Sequence, residues 1–343
     1  MNLRFLGKSL VSLGRALGLM AWTLLGLWTA LAVFFTAPVP SWAATTLALA
    51  VMGWHLYAWR HLFRSLAALA VCAVVIVWFC SMTPDANQVW APEQARMPIV
   101  KIEGDKVHVA NVRDFRWHSR TEFTEGFYDR VYDMNAINSV YYVVVPLAQL
   151  DGVAHVFLCF GFTDGQHVAI SVEGRRVKDR PYRVIASMFH QYQLIYVIGD
   201  ERDVVGVRGS VWGQPVRFYP ATSTPERKRA LFLDMMQRAH SLEEHPEYYN
   251  LITNNCMNNI TDHIRALGYR PLPPDWRLLL TGFSDRAAFD LGYFDTDLSF
   301  ENARIAFRID EWMRTAPLDE QFSARLRENL ARQVAEVRAQ AAK

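Results

Sequence analysis

The chain has 343 residues, of which 51% are hydrophobic, and its 36 Lys and Arg side chains nearly balance 34 Asp and Glu. Five of the cations and none of the acids precede residue 81, so the rest of the chain carries 31 cations against 34 anions. Because no basic stripe or charged block occurs, this composition excludes the electrostatic footprint typical of nucleic-acid-binding proteins, and we expect no nucleic acid partner.

The first eighty residues have the composition of membrane-spanning helices. Three apolar stretches, at about 16–36, 42–59 and 65–82, approach the ~20 residues that a spanning helix needs, and we expect them to form a membrane anchor over residues 1–82. A cleavable signal peptide is the alternative for the first stretch. Its apolar run is longer than the ~7–15 residues typical of a signal peptide, and two further runs follow it.

The cations of the anchor predict its orientation, because cationic loops stay in the cytoplasm. They lie before the first stretch and between the second and the third, and they are Arg4, Lys8, Arg15, Arg60 and Arg64. Three crossings then place everything after about Ser81 in the periplasm, as part of a multi-pass protein of the bacterial inner membrane. If the second and third stretches formed a single hairpin, the domain would be cytoplasmic instead.

After a polar linker at 83–98, the pattern predicts one domain over 99–310 that begins with strands. Residues 99–111 form two short alternating segments around a Gly-Asp pair, which indicates a hairpin. The later strand segments are short, rich in β-branched and aromatic residues, and bounded by Gly, Asp or Pro. They are 139–145, 152–162, 166–173, 193–198 and 204–211.

Helical patterns dominate the second half of this domain. Thr224 followed by Pro225 predicts the N-cap and first residue of a helix. A second helix is predicted from about Asn255 to Leu267, with Gly268 ending it. The C-terminal segment, 311–343, is charged and Ala-rich, which favours a solvated amphipathic helix. Strands followed by helices are typical of an α+β domain.

Cys256 is the candidate nucleophile. Either Asn254 or Asn255 is a natural N-cap, so Cys256 would lie in the first turn of the second helix. There the exposed N–H groups and the helix dipole favour a thiolate, and the same N–H groups can form an oxyanion hole. The alternative for a single cysteine near a helix start is a packing role.

A base and its orienting carboxylate are predicted from the register of one hairpin. If the loop 163–165 has three residues with Gly165 in the left-handed conformation, Phe162 opposes Gln166 and, counting back along both strands, His155 faces Glu173. A carboxylate beside the ring would fix its tautomer and stabilise the imidazolium. A two-residue turn would instead direct Glu173 to the other face, and a lone histidine in an apolar strand can also be a core residue.

Other residues compete for these roles. His167, Cys159 and Ser171 are the nearest competitors, and a disulfide between Cys159 and Cys256 is conceivable in an oxidising compartment. One cluster invites a metal interpretation, although its spacing matches no recognised ligand pattern and favours a solvated helix end. Its members are His240, Glu243, Glu244 and His245.

Several motifs resemble, in their order along the chain, the Lnb N-terminal periplasmic domain family. The resemblance covers about residues 90–300, and its motifs are 112–117 (VRDFRW), 132–134 (YDM), 154–165 (AHVFLCFGFTDG), 170–176 (ISVEGRR), 189–202 (FHQYQLIYVIGDER), 249–256 (YNLITNNC) and 275–277 (DWR). The family takes its name from a bacterial lipoprotein N-acyltransferase. Its His-before-Cys order is similar to a circularly permuted papain-like, or NlpC-like, α+β fold.

The resemblance implies a thiol site in which Cys256 is the nucleophile, His155 the base and Glu173 its orienting group. It implies an acyltransferase or hydrolase that acts on an acyl ester or amide of a lipid or lipoprotein, with no cofactor and no metal. The expected partners are the bilayer, a phospholipid acyl donor, and a lipoprotein or other envelope acceptor. The candidates for substrate binding are Asn255, Ser171, Arg175, Arg176 and Tyr249.

Two other functions remain open at this point. NlpC-like relatives of the fold cleave peptidoglycan, so a peptidoglycan peptidase or amidase is one alternative. A non-catalytic periplasmic binding or assembly module is another, because Met257 and Asn258 stand where family members often have hydroxyl residues after the cysteine.

Overall fold

The computed structural model describes residues 3–85, 87–147, 152–268 and 274–342, with side chains from residue 12 onward. The first two residues of the predicted anchor, Ala86 of the predicted linker and the last residue of the C-terminal segment lie outside these ranges. The chain divides into two compact units. The helical unit comprises Met1–Ala86 and Pro181–Tyr192, and the mixed unit comprises Asn87–Arg180 and Gln193–Lys343.

Three helices, α1 (Leu3–Thr36), α2 (Ser41–Ala58) and α3 (Leu62–Ser81), make up most of the helical unit. Helix α2 is antiparallel to α1, since the Trp22 ring donates its N–H to the His55 carbonyl at 2.8 Å. Helix α3 runs parallel to α1, with the Thr29 hydroxyl donating to the Cys72 sulfur at 3.3 Å. Polar groups inside this bundle are thus paired with one another.

Two of the described helices are long and apolar enough to cross a membrane, judged by length and composition: Ser12–Thr36 and Leu62–Ser81. The predicted second span forms helix α2 but is not one of them. Its 18 residues include His55 and Tyr57, which lower its hydropathy. The three predicted stretches are helical, and two of these described helices have the hydropathy of a span.

The segment Pro181–Tyr192 belongs to the helical unit, although the sequence assigned it to the domain. The Phe189 side chain is 2% exposed. Its ring lies 5.4 Å from that of Phe35 near the end of α1 and 6.4 Å from that of Phe79 near the end of α3. The C-terminal ends of the two parallel helices therefore meet on this one segment.

The mixed unit is built around a sheet. Its strands are β1 (Ile99–Glu103), β2 (Lys106–Arg113), β3 (Arg116–Trp117), β4 (Phe123–Thr124), β5 (Phe127–Asp133), β6 (Ile137–Pro146), β7 (Ala154–Phe162), β8 (His167–Arg175), β9 (Gln193–Gly199) and β10 (Arg217–Pro220). Among the described residues, eight strands form one sheet in the order β1-β2-β9-β8-β7-β6-β10, with β5 also pairing with β2. Strands β3 and β4 form a separate ribbon.

Helices cover this sheet. They are α4 (Val207–Ser210), α5 (Pro225–Glu244), α6 (Cys256–Ala266), α7 (Trp276–Leu279), α8 (Ser284–Asp290), α9 (Phe300–Ala306), α10 (Asp310–Met313) and α11 (Phe322–Ala341). Helix α5 packs on one face of β7, where the rings of Phe232 and Phe160 lie 5.1 Å apart. Side chains alternate along a strand, so His155, Phe157 and Cys159 point to the opposite face. The mixed unit is therefore an α+β structure, as predicted.

Two turn predictions are confirmed. Strands β1 and β2 pair as an antiparallel hairpin, with Gly104 at φ 60° in its turn. The loop 163–165 closes the β7–β8 hairpin with Gly165 at φ 84°, and the Phe162 N–H donates to the Gln166 carbonyl at 3.0 Å. Gly165 thus adopts the left-handed conformation that the three-residue loop requires.

One secondary-structure prediction is wrong, and one helix is more buried than expected. The segment 204–211 was expected to be a strand, but 202–206 forms a π-helical turn that continues into α4. Its valines are buried on every side, so the β-branched composition reflects packing rather than a pleated strand. The C-terminal segment contains the expected helix, α11, but its apolar face, with Phe322, Leu326 and Leu330, is buried rather than solvated.

Candidate active site

Cys256 occupies the first turn of α6. The Asn255 side chain accepts from the Asn258 N–H at 2.9 Å, and the Asn258 side chain accepts in return from the Asn255 N–H at 3.1 Å, which forms a capping box. This pairing leaves the N–H groups of Cys256 and Met257 without partners inside the helix. Cys256 therefore lies in the first turn of the helix, as the sequence predicts.

The thiol enters a gap between β7 and β8. The two strands pair from Leu158 opposite Ile170 to the loop, but the ladder stops there. Two residues further along, the Val156 N–H would face Val172 of β8. It lies instead near the Cys256 thiol, whose pKa it lowers. Because this N–H belongs to the peptide that follows His155, the sulfur contacts the backbone beside the predicted base.

His155 and Glu173 are connected through Ser171. The His155 Nε2 atom lies 2.7 Å from the Ser171 hydroxyl, and that hydroxyl donates to Glu173 Oε1 at 2.9 Å. The direct distance from His155 Nε2 to Glu173 Oε1 is 3.9 Å. The register prediction therefore places the ring and the carboxylate on the same face, but a serine bridges them.

This hydrogen-bond chain assigns the tautomer of the ring. An ionised carboxylate only accepts, so the single Ser171 proton is directed at Glu173. His155 Nε2 must then carry a proton and donate to Ser171, which leaves Nδ1 of the neutral ring with the free lone pair. Nδ1 is consequently the atom of His155 that can accept a proton.

Glu173 is held in its ionised form. Burial alone raises its pKa, but the facing His155 ring and the guanidinium groups of Arg208 and Arg113 outweigh burial and hold the pKa below the ordinary value. The Gln94 amide donates to Glu173 Oε2 at 2.9 Å, and Arg208 donates to Oε1 at 3.4 Å. Both carboxylate oxygens therefore have donors.

The thiol and the imidazole rest in their neutral forms. Burial raises the pKa of the Cys256 thiol, although the N–H groups of Val156, Met257 and Cys256 itself oppose this shift. Burial and the nearby Arg208 charge lower the pKa of His155. Across the part of the chain that the structure describes, no hydrogen bond joins the His155 ring to the Cys256 thiol. A preformed thiolate–imidazolium pair is thus disfavoured.

The two arginines among the substrate-binding candidates have other partners. Arg175 is buried and donates through Nε to the Gln94 carbonyl at 2.8 Å and through a terminal nitrogen to the Gln193 side chain at 3.1 Å. Arg176 forms an ion pair with Glu93. Their role in substrate binding stays a prediction that these contacts do not favour, because the guanidinium groups fasten residues 93–95 to the end of β8.

The remaining candidate residues have different positions and partners in the structure. Asn255 caps α6 and Ser171 carries the hydrogen-bond chain, whereas Tyr249 is buried before the capping turn. Cys159 is a free, fully buried cysteine whose neighbour is the Glu201 carboxylate, on the face of the sheet away from α6. No group of three or more potential metal ligands occurs within the described residues.

Sequence reasoning missed two residues of the site. Gln94 comes from a turn inside the segment predicted to be a linker, and nothing in its local sequence indicates a contact with Glu173. Arg208 follows the valine-rich run of 204–207 and is only 8% exposed. The available signal was the position of Arg208 directly after an apolar run. A cation buried there needs a partner, such as a carboxylate.

An apolar cavity of about 370 Å³ lies next to Met257, the residue that follows Cys256 in α6. It is lined by Met257, Ile260 and Ile264 of α6, by Leu158 of β7, and by Phe294. Its volume falls within the range of ~300–1,000 Å³ of small-molecule pockets. The cavity therefore offers a largely apolar space at the same end of α6 as Cys256.

Comparison with known proteins identifies the central part of the chain. Residues 123–282 match the family model of the Lnb N-terminal periplasmic domain, and this range contains Cys256, His155 and Glu173. No curated protein and no solved structure matches the chain. Together with the two apolar helices, the match indicates a membrane protein with a periplasmic domain. Over residues 123–282 the chain is therefore similar to the Lnb N-terminal periplasmic domain family.

Proposed function

We propose that the mixed unit is a thiol acyltransferase or hydrolase acting on an acyl ester or amide of a lipid or lipoprotein. One observation carries the proposal: the Cys256 thiol, at a helix N-terminus, lies against the peptide of His155, whose ring is linked through Ser171 to Glu173. A nucleophile, a nearby base and an orienting carboxylate are the parts that thiol catalysis requires. The His-before-Cys order fits a permuted papain-like arrangement.

The neutral resting state defines the first step. As the Cys256 sulfur attacks the acyl carbonyl, its proton passes to His155 Nδ1, and the carbon–oxygen bond of an ester substrate breaks. The imidazolium then protonates the departing alkoxide, and Glu173 stabilises the imidazolium through Ser171. The N–H groups of Cys256 and Met257 are suitable donors to the carbonyl oxygen as it gains charge.

The second step decides between transfer and hydrolysis. The acyl group is held as a thioester on Cys256, and an acceptor amine or water attacks it and restores the thiol. The cavity beside Met257 suits the aliphatic chain of this group, because its lining is largely apolar. A lipid or lipoprotein substrate also agrees with the membrane anchor of the chain.

The anchor itself is proposed to cross the inner membrane three times. Helices α1 and α3 run parallel, and both C-terminal ends lie at Phe189. Two parallel spans require a return crossing between them, and α2, at ~1.5 Å per residue, is about 27 Å long, close to the ~30 Å hydrocarbon core. The packing therefore supports a third crossing despite the lower hydropathy of α2.

Reporter fusions test this topology. Alkaline phosphatase fused at Val39 or after Ser81 should be active, because both points would be periplasmic, whereas a fusion at Arg60 should be inactive. An inactive enzyme after Ser81 would contradict the periplasmic location of the domain and remove the basis for a lipid substrate presented from that side.

Mass spectrometry tests the chemistry. The full chain in proteoliposomes is incubated with phospholipid, and the peptide containing Cys256 should gain the mass of one acyl chain. Cys256→Ala should lose this adduct, while Cys159→Ala, which removes another buried cysteine, should keep it. Cleavage of muropeptides without any adduct would support a peptidase instead. If Cys256→Ala retains the cellular role of the protein, thiol catalysis is wrong and a binding module is favoured.

A further inference from the structure

The segment Pro181–Tyr192 of the helical unit connects β8 to β9 and is fixed at the ends of two membrane helices. Its residues Ala186 and Phe189 are 4% and 2% exposed. Phe189 contacts Phe35 and Phe79, and the Gln191 amide donates to the Phe35 carbonyl at 2.8 Å. This carbonyl is one of the last four of α1, which have no partner within the helix. The segment thus completes the end of α1.

The depth of this contact places the segment at the membrane boundary. The Phe189 ring also lies 6.4 Å from that of Trp28. Trp28 precedes the last residue of α1, Thr36, by eight residues, which corresponds to about 12 Å along the helix. If α1 spans the membrane, Phe189 therefore lies within the thickness of the bilayer, because its ring contacts α1 about 12 Å before the helix end.

The other side of the segment exposes apolar side chains. Tyr182, Val184 and Ile185 are 42%, 47% and 53% exposed. Their backbone is nevertheless held in place, because the Arg183 N–H donates to the Tyr192 hydroxyl at 2.8 Å and the Ser187 hydroxyl donates to the Val184 carbonyl at 2.6 Å. A fixed, exposed apolar surface of this kind marks an interaction site.

The composition of this surface fits the headgroup region of a bilayer. Tyrosine is enriched at membrane–water interfaces, and aliphatic side chains next to it partition into the acyl boundary. Arg183 is exposed within the surface, and the sequence just before it contains Lys178 and Arg180. Such cations attract lipid phosphates. The surface also continues directly from residues seated on the spanning helices.

We propose that Tyr182, Arg183, Val184 and Ile185 form a lipid-binding surface that inserts into the outer-leaflet interface of the membrane. The proposal rests on the proposed membrane anchor and is independent of thiol chemistry. It means that the connection following β8, the strand that carries Glu173 and Ser171, is attached to the lipid as well as to the helices. The occupant of the surface is the bilayer in which α1 and α3 reside.

A matched pair of labels tests the proposal. Val184→Cys and Val131→Cys, each in a full chain that carries Cys80→Ala and Cys256→Ser, are labelled with an environment-sensitive fluorophore and reconstituted into liposomes containing anionic lipid. Val131 is a suitable control, because it is a valine of similar exposure, 41%, on β5 of the mixed unit. On reconstitution, the emission of the label at position 184 should shift to the blue, because the label leaves water. Lipids with a nitroxide just below the headgroup should also quench this label. Neither effect is expected at position 131.

The outcomes separate this inference from the anchor and from the enzyme. Extraction with alkaline carbonate first shows whether the protein is membrane-embedded; release would overturn the anchor and this surface together. If the protein stays embedded and the label at 184 emits as in water, the lipid-binding surface alone is wrong. A blue shift without quenching would indicate a protein partner and would also overturn it. Ile185→Cys provides a second position with the same expectation, and the absence of Cys256 makes every readout independent of catalysis.

Discussion

Replacing Ser171 by alanine removes the link between the base and its carboxylate. Ser171 is fully buried and takes part in two hydrogen bonds, at 2.7 Å with His155 and at 2.9 Å with Glu173. A hydrogen bond to a charged group contributes ~1.5–3 kcal/mol, and a neutral one ~0.5–1.5 kcal/mol. Glu173 keeps its donors Gln94 and Arg208, so the main loss falls on the orientation and proton affinity of His155.

The hydrogen bond between His155 and Ser171 becomes charge-assisted when His155 is protonated in the transition state. Its full loss there lowers the rate of acylation by about tenfold to a hundredfold, since 1.36 kcal/mol corresponds to a factor of ten. The assay is the rate at which the Cys256 peptide gains an acyl mass in proteoliposomes. Ser210→Ala, which removes a serine hydroxyl that donates to the Gly206 carbonyl at 2.7 Å, should leave that rate unchanged. Ser171→Thr retains a hydroxyl and should recover part of the activity. If Ser171→Ala is acylated at the wild-type rate, the proposed role of the hydrogen bonds that link His155, Ser171 and Glu173 is wrong.

Three further predictions concern the thiol and the fold. The rate of iodoacetamide alkylation of Cys256 should rise by about tenfold per pH unit from pH 7 to 9 without a plateau, because burial raises the thiol pKa; a plateau near neutral pH would indicate a thiolate at rest. Arg113→Met should destabilise the full chain by about 3–5 kcal/mol in thermal unfolding, since it strands the fully buried Asp203 that Arg113 contacts at 2.7 Å, and a change within the error of the measurement would contradict this. Gly165→Ala should cost about 1–2 kcal/mol in the same assay, because the open space around Gly165 leaves only its φ of 84° as a penalty; unaltered stability would mean that the loop relaxes to another conformation.

The β7–β8 hairpin shows which parts of this protein follow from the sequence. Its register depends on a two-residue strand period and on one glycine in the turn, and both are local properties. For the same reason the N-cap of α6 could be narrowed to Asn254 or Asn255 from neighbouring residues. The structure selects Asn255, which places Cys256 in the first turn. The resemblance of the motifs then connected the two elements, which lie far apart in the chain.

Long-range packing explains what the sequence did not predict. The valines of 204–207 favour a strand locally, but their burial on all sides in the mixed unit selects a helical turn. Gln94 reaches Glu173 across 79 residues of sequence, and its immediate neighbours resemble those of any polar connection. The segment 181–192 packs with helices more than a hundred residues earlier in the chain, and its apolar residues alone do not distinguish a membrane contact from a domain core.

The protonated resting state of Cys256 has a consequence for how this thiol persists in an oxidising compartment. Oxidants and disulfides react with thiolates far more readily than with thiols. A cysteine that is 5% exposed and whose pKa is raised by burial therefore reacts slowly with both, even where the surroundings favour oxidation. In the proposed mechanism the proton leaves only when a substrate carbonyl is in place, so the thiol would stay protonated, and resistant to oxidation, between turnovers.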